Sequence, residues 1–104
     1  MNDVLQQLSL ILEQRKLESA DKSYVASLYA KGLDSILKKI GEEATETVIA
    51  SKNNCQGEVL YEMADLWYHC LVLLVWHGIS PVDLLKELNK RRSGKTQDPA
   101  KANN

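Results

Sequence analysis

Five carboxylates at helical spacing dominate the middle of this 104-residue chain: Glu42, Glu43 and Glu46, then Glu62 and Asp65 beyond the next turn. Acids three and four residues apart share one side of a helix, where like charges oppose folding unless something neutralises them. A divalent cation would do so. Hard oxygen donors of this kind suit Mg²⁺ or Mn²⁺, which bind through a few carboxylates, keep several waters and accept phosphate oxygens from a ligand. An acidic run taken alone reads equally as a solvated helix face, so the two runs matter through their relation to each other.

That relation is set by the turn Asn53-Asn54-Cys55-Gln56-Gly57. If it joins antiparallel helices, Glu46 lies seven residues before it and Glu62 five after it, about 10 Å and 8 Å from the bend at roughly 1.5 Å per residue. Glu43 and Asp65, ten and eight residues away, stand about 15 Å and 12 Å from it. Both pairs meet at matching heights. In projection, Leu33, Leu37, Ile40, Ala44 and Val48 form the apolar face of the first helix, with Glu43, Glu46 and then Glu42 progressively round from it. On the second, Val59, Met63, Leu66, Cys70 and Leu74 form the seam, and Glu58, Glu62, Asp65 and His69 a polar stripe along its edge.

Five helices follow from the pattern of apolar residues and breakers. Val4, Leu5, Leu8, Ile11 and Leu12 give a first helix from an Asn2 or Asp3 cap to about Leu17. Ser23 caps a short one through Tyr24, Val25, Leu28 and Tyr29 to Lys31, and Gly32 ends it. The acidic helix then runs to about Lys52 and its partner from Gly57 to about His77, closed by Gly78. Ser80-Pro81 starts a last helix in the favoured order of cap and N1 proline, with Leu84, Leu85 and Leu88 inward and Lys86, Lys90, Arg91 and Arg92 outward. Residues 93–104 hold no large apolar side chain and read as a mobile tail to a domain of residues 1–92. The expected fold is all-α, an antiparallel bundle of four to five helices. Because Leu66 to Trp76 is apolar nearly all round, a second copy of the chain should complete that bundle as a homodimer.

Composition narrows the class further. A net charge of −1 with 26% charged residues gives no global field for nucleic acid or an anionic membrane. The almost wholly apolar run from Leu66 to Trp76 is too short to span a bilayer. Cys55 and Cys70, without C-x-x-C spacing or a secretory segment, read as reduced thiols of a cytoplasmic protein. Gly41, inside the acidic helix, costs about 1 kcal/mol relative to alanine and is either tolerated or marks a close approach of backbone or ligand.

Several residues have two readings. Glu42 can pair with Lys38, and Glu58 suits the first turn of its helix as a dipole partner. Lys39 can neutralise Glu43 and Glu46 or hold a phosphate. Lys31, Arg91 and Arg92 are either phosphate ligands or solvated cations near helix ends. His69 continues the acidic stripe yet sits among Trp67, Tyr68 and Cys70, the setting of a hydrogen-bonded core or interface histidine. Tyr24, Tyr29, Tyr61 and Tyr68 could stack on a base, but aromatics at helical spacing are usually packing.

Glu42-Glu43-x-x-Glu46 followed by Glu62-x-x-Asp65 resembles the all-α nucleoside triphosphate pyrophosphatases. More closely, Ser23-Tyr24-Val25-Ala26-Ser27-Leu28, Lys38-Lys39-Ile40-Gly41-Glu42-Glu43-Ala44-Thr45-Glu46 and Glu62-Met63-Ala64-Asp65-Leu66-Trp67-Tyr68-His69 resemble the phosphoribosyl-ATP pyrophosphatase family of histidine biosynthesis, over about residues 4 to 92. The resemblance implies Mg²⁺-dependent hydrolysis of 1-(5-phosphoribosyl)-ATP to the AMP derivative and pyrophosphate. It implies Glu43, Glu46, Glu62 and Asp65 as the metal shell, with Glu42, directly or through a ligand acid such as Glu43, orienting or deprotonating the attacking water. Lys39 and Lys31 would hold phosphate oxygens of this small-molecule nucleotide. Two other readings stay open: a house-cleaning enzyme for non-canonical nucleoside triphosphates, and a non-enzymatic helical dimerisation module.

Overall fold

The computed structural model describes residues 2–92. The expected tail over 93–104 lies outside them. Five helices follow one another: α1 (Asn2–Arg15), α2 (Tyr24–Lys31), α3 (Leu33–Lys52), α4 (Gln56–Trp76) and α5 (Pro81–Arg92), with no strand among the described residues. The all-α bundle expected from the periodicity is what forms. Boundaries shift by a residue or two. The first helix stops at Arg15, two residues before Leu17, and Gly57 falls inside α4 rather than in the turn.

Local chemistry sets these ends. The Ser23 hydroxyl accepts from the Ala26 N–H at 3.0 Å, and Gly32, at φ 102, lets the chain pass from α2 into α3 through a single residue. Asn54, at φ 59, supplies the left-handed residue of the hairpin turn. The Ser80 hydroxyl accepts from the Val82 N–H at 3.2 Å ahead of Pro81.

The long α3–α4 hairpin is the spine of the molecule, and α1, α2 and α5 pack around it. Leu5, Leu12, Val25, Leu28, Ile36, Leu71, Val72 and Val75 form the core. It gathers around the start of α3 and the end of α4, so the half of the hairpin nearest the turn is covered far less. By length and composition α4 could cross a membrane. Its first three turns, however, carry Glu58, Glu62 and Asp65.

The inner face of α3 matches the expected one only in part: Leu33, Ile40 and Ala44 are half-buried, with Ile40 against the core. Ile36, Glu43 and Ala50 are its buried residues, while Leu37 and Val48 are exposed, Val48 at 62%. On α4, Met63 and Trp67 are likewise exposed, Trp67 at 56%, and His69 is buried instead. Apolar side chains occupy so wide an arc of both helices that hydropathy alone could not say which part faces inward. The chain turns Glu43 and His69 inward and leaves apolar side chains, among them Leu37, Val48, Leu60, Met63 and Trp67, toward solvent.

Candidate active site

Antiparallel packing of α3 on α4 brings together the acids that matched in height. Oxygens of Glu43, Glu46 and Glu62 lie within 4.8 Å of one another, and a second group within the same limit joins Glu43, Asp65 and His69. Glu43 belongs to both. It is 3% exposed, and its Oε1 lies 3.3 Å from the Lys39 ammonium, but its Oε2 is buried with no hydrogen-bond partner. Burial, then a hydrogen bond to Asp65 that exists only when one of the two carboxyls is protonated, raises the Glu43 pKa against the opposing pull of Lys39. The Glu43 oxygen therefore lacks a donor only while both are ionised. Glu62 is pushed up to about 7, first by a hydrogen bond shared with Glu46, then by burial and the charges of Glu46, Glu43 and Asp65. Both shifts report carboxylates held too close to remain charged together without a cation.

The buried, unpartnered Glu43 oxygen is the observation that tests a metal against this site. An acceptor without a donor is costly when buried. A hard cation placed among Glu43, Glu46, Glu62 and Asp65 would satisfy it and remove the repulsion, so the donor set fits Mg²⁺ or Mn²⁺.

His69 does not join that donor set. It is 2% exposed, its Nδ1 lies 2.8 Å from the Asp65 carbonyl oxygen, and its Nε2 lies 2.8 Å from the Tyr24 hydroxyl. Both ring nitrogens are engaged. Of its two readings, the hydrogen-bonded core histidine is the one found.

The other candidates are less closely gathered. Lys39 lies 3.8 Å from Glu42 and 3.3 Å from Glu43, so Glu42 pairs with Lys39 rather than with Lys38. Burial works to lower the Lys39 pKa, but the hydrogen bond to Glu43 and the charges of Tyr24, Glu43 and Glu42 outweigh it and the ammonium is raised. Glu42 is exposed and outside both acid groups. Lys31 ends α2, exposed, and no ion pair joins it to the acids among the described residues. Arg91 pairs with Glu87 at 3.8 Å instead. Glu58 sits in the first turn of α4, where it lines an open groove of about 290 Å³ with Glu46, Ile49, Ala50, Tyr61 and Glu62. Tyr24, read as packing, is the residue the sequence hid. Nothing in a 45-residue separation points to His69.

An all-helical chain that opposes two pairs of acids across one hairpin has the architecture expected of an all-α nucleotide pyrophosphohydrolase. Residues 5–92 match the family described as phosphoribosyl-ATP pyrophosphohydrolase. The chain belongs to that family. It is 67% identical to the phosphoribosyl-ATP pyrophosphatase of Methylococcus capsulatus over 86% of this chain and 85% of the relative. It is 56% identical to that of Hydrogenovibrio crunogenus over 86% and 83%, and 48% identical to that of Ruthia magnifica over the whole of both.

Proposed function

We propose that the acids of the α3–α4 hairpin are the metal-binding centre through which this chain carries out the reaction of its family. That reaction is hydrolysis of 1-(5-phosphoribosyl)-ATP to 1-(5-phosphoribosyl)-AMP and pyrophosphate, an early step of histidine biosynthesis. The observation that carries the reading is the buried oxygen of Glu43, unpartnered beside three further acids. Glu43, Glu46, Glu62 and Asp65 hold Mg²⁺, which when bound neutralises phosphate charge and makes water more acidic.

The remaining roles belong to the chain's own side chains. Lys39, tied to Glu42 and Glu43 in the free protein, swings its ammonium from these acids to phosphate oxygens of the substrate, and Lys31 supplies a second, outer cation. Glu42, released from Lys39 by that transfer, orients or deprotonates the attacking water. Glu46→Gln and Asp65→Asn should each abolish turnover of phosphoribosyl-ATP while leaving the helical content unchanged. Turnover persisting in both variants would overturn the assignment. A substrate panel separates the house-cleaning alternative, which requires hydrolysis of dUTP or ordinary nucleoside triphosphates in preference to phosphoribosyl-ATP.

The working form is a cytoplasmic homodimer. The dimer is supported by the large apolar side chains left in water on α3 and α4, Leu37, Val48, Leu60, Met63 and Trp67, three of them more than half exposed. Trp67→Glu should convert a dimer to monomers in analytical ultracentrifugation. A parent chain that already sediments as a monomer removes this part of the proposal.

A further inference from the structure

We propose that Tyr24 and His69 are positioning residues for Asp65. They form a hydrogen-bonded chain that runs from the first residue of α2 through a buried imidazole to the metal-site acid four residues before it on α4. The inference rests on Asp65 being a ligand, as proposed above.

The proton positions follow from the partners. A main-chain carbonyl can only accept, so the His69 Nδ1 that lies 2.8 Å from the Asp65 carbonyl oxygen carries the hydrogen. In the neutral ring Nε2 is then an acceptor, and the Tyr24 hydroxyl donates to it at 2.8 Å. The same Nδ1 lies 3.5 Å from the Asp65 carboxylate Oδ1, so one N–H stands over both the main chain and the side chain of this residue. The ring cannot turn away. Tyr24 meets it edge-on with centroids 5.7 Å apart, and Tyr68 does so at 5.9 Å.

Tyr24 is therefore more than packing. It is half exposed, so its hydroxyl contributes little to the core, and it lies near enough to Lys39, Asp65 and Glu43 to sense their charges. With its hydroxyl hydrogen directed at His69, Tyr24 keeps its proton and donates its hydrogen bond to the imidazole. Removing the hydroxyl leaves Nε2 without its donor and lets the imidazole shift, and with it the Nδ1–H that stands 3.5 Å from the Asp65 carboxylate. Hydrogen-bond partners that orient metal ligands typically govern affinity by roughly 10–100-fold.

Tyr24→Phe removes that oxygen and nothing else. Mn²⁺ titrated into the substrate-free protein, with free ion followed by electron paramagnetic resonance, should bind roughly 10–100-fold more weakly than to the parent. The Mg²⁺ concentration for half-maximal activity should rise by the same factor, with KM for phosphoribosyl-ATP at saturating Mg²⁺ unchanged. His69→Asn, whose amide N–H stands near the lost Nδ1, should retain more affinity than His69→Leu. Mn²⁺ affinity within twofold of the parent in Tyr24→Phe overturns the inference. So does a raised KM with unaltered Mn²⁺ affinity, which would make Tyr24 a substrate contact. Asp65→Asn runs alongside: parental Mn²⁺ affinity in that variant would sink the metal-site reading itself.

Discussion

Replacing Glu43 by glutamine tests the centre of the site, because the structure sets the opposing energies close to balance. Below about pH 7, where Glu62 is protonated, the Glu43 carboxylate is attracted by Lys39 at 3.3 Å and repelled by Glu46 and Asp65 at up to 4.8 Å. At an effective dielectric of about 20 these amount to about 5 kcal/mol of attraction and about 3.5 kcal/mol of repulsion from each acid. Solvent around Lys39 and Glu46 shrinks both sides. Metal-free Glu43→Gln should therefore lie within about 2 kcal/mol of the parent, on the more stable side, with its amide N–H donating to Asp65.

Metal reverses the comparison. Mg²⁺ at about 100 times its dissociation constant adds about 2.7 kcal/mol to the parent, a rise of roughly 10–20 °C in Tm for a domain of this size. A site weakened about 100-fold gains only about 0.4 kcal/mol at the same concentration, or roughly 2–3 °C. Calorimetric melts of both proteins with EDTA and with Mg²⁺ give all four values. Parallel Mg²⁺ shifts in parent and variant would refute the reasoning. So would a metal-free variant several kcal/mol less stable, which would make the Glu43–Lys39 pair structural.

Two further outcomes follow from the same geometry. The native Glu62 holds its proton up to about pH 7, whereas in the unfolded chain it ionises near the ordinary 4.5. Between those values the native state binds more protons, so metal-free stability should fall as pH rises from about 4.5 to about 7 and level off above. Glu62→Gln or saturating Mg²⁺ should flatten that decline, and melts across the pH range that show no slope in the parent would contradict it. Gly41 has open space where a Cβ would stand, with nothing within 4 Å, so within this chain it is a tolerated interior glycine. Gly41→Ala should stabilise the metal-free protein by about 1 kcal/mol, and a loss of activity at raised Tm would locate a ligand or partner chain at that surface.

What could be read from the sequence divides along physical lines. Helix ends were legible because Ser23, Gly32 and the Ser80–Pro81 pair act through local sterics and single hydrogen bonds. The meeting of Glu46 with Glu62 and of Glu43 with Asp65 was legible because a short turn fixes the height of every residue on an antiparallel pair. The rotation of each helix was not. It depends on which part of a broad apolar arc the rest of the chain covers, and Leu37 and Val48, expected inside, are outside while Glu43 is buried. The partner of His69 was hidden for a related reason: Tyr24 reaches it only once α2 has docked on α3, beside α4.

The wall of the site formed by α2 differs in kind from the hairpin it faces. Eight residues are fewer than an isolated helix needs to persist in water, so α2 is held by its cap, its glycine exit and three buried side chains, Val25, Ala26 and Leu28. Amide exchange there should outpace that in the middle of α3 and α4 through a sub-global opening that leaves the long helices intact. Such breathing would carry Tyr24 away with it. It would give the acids a transiently looser state through which ions and product leave, so that the turnover rate becomes a property of the least persistent helix rather than of the most acidic one.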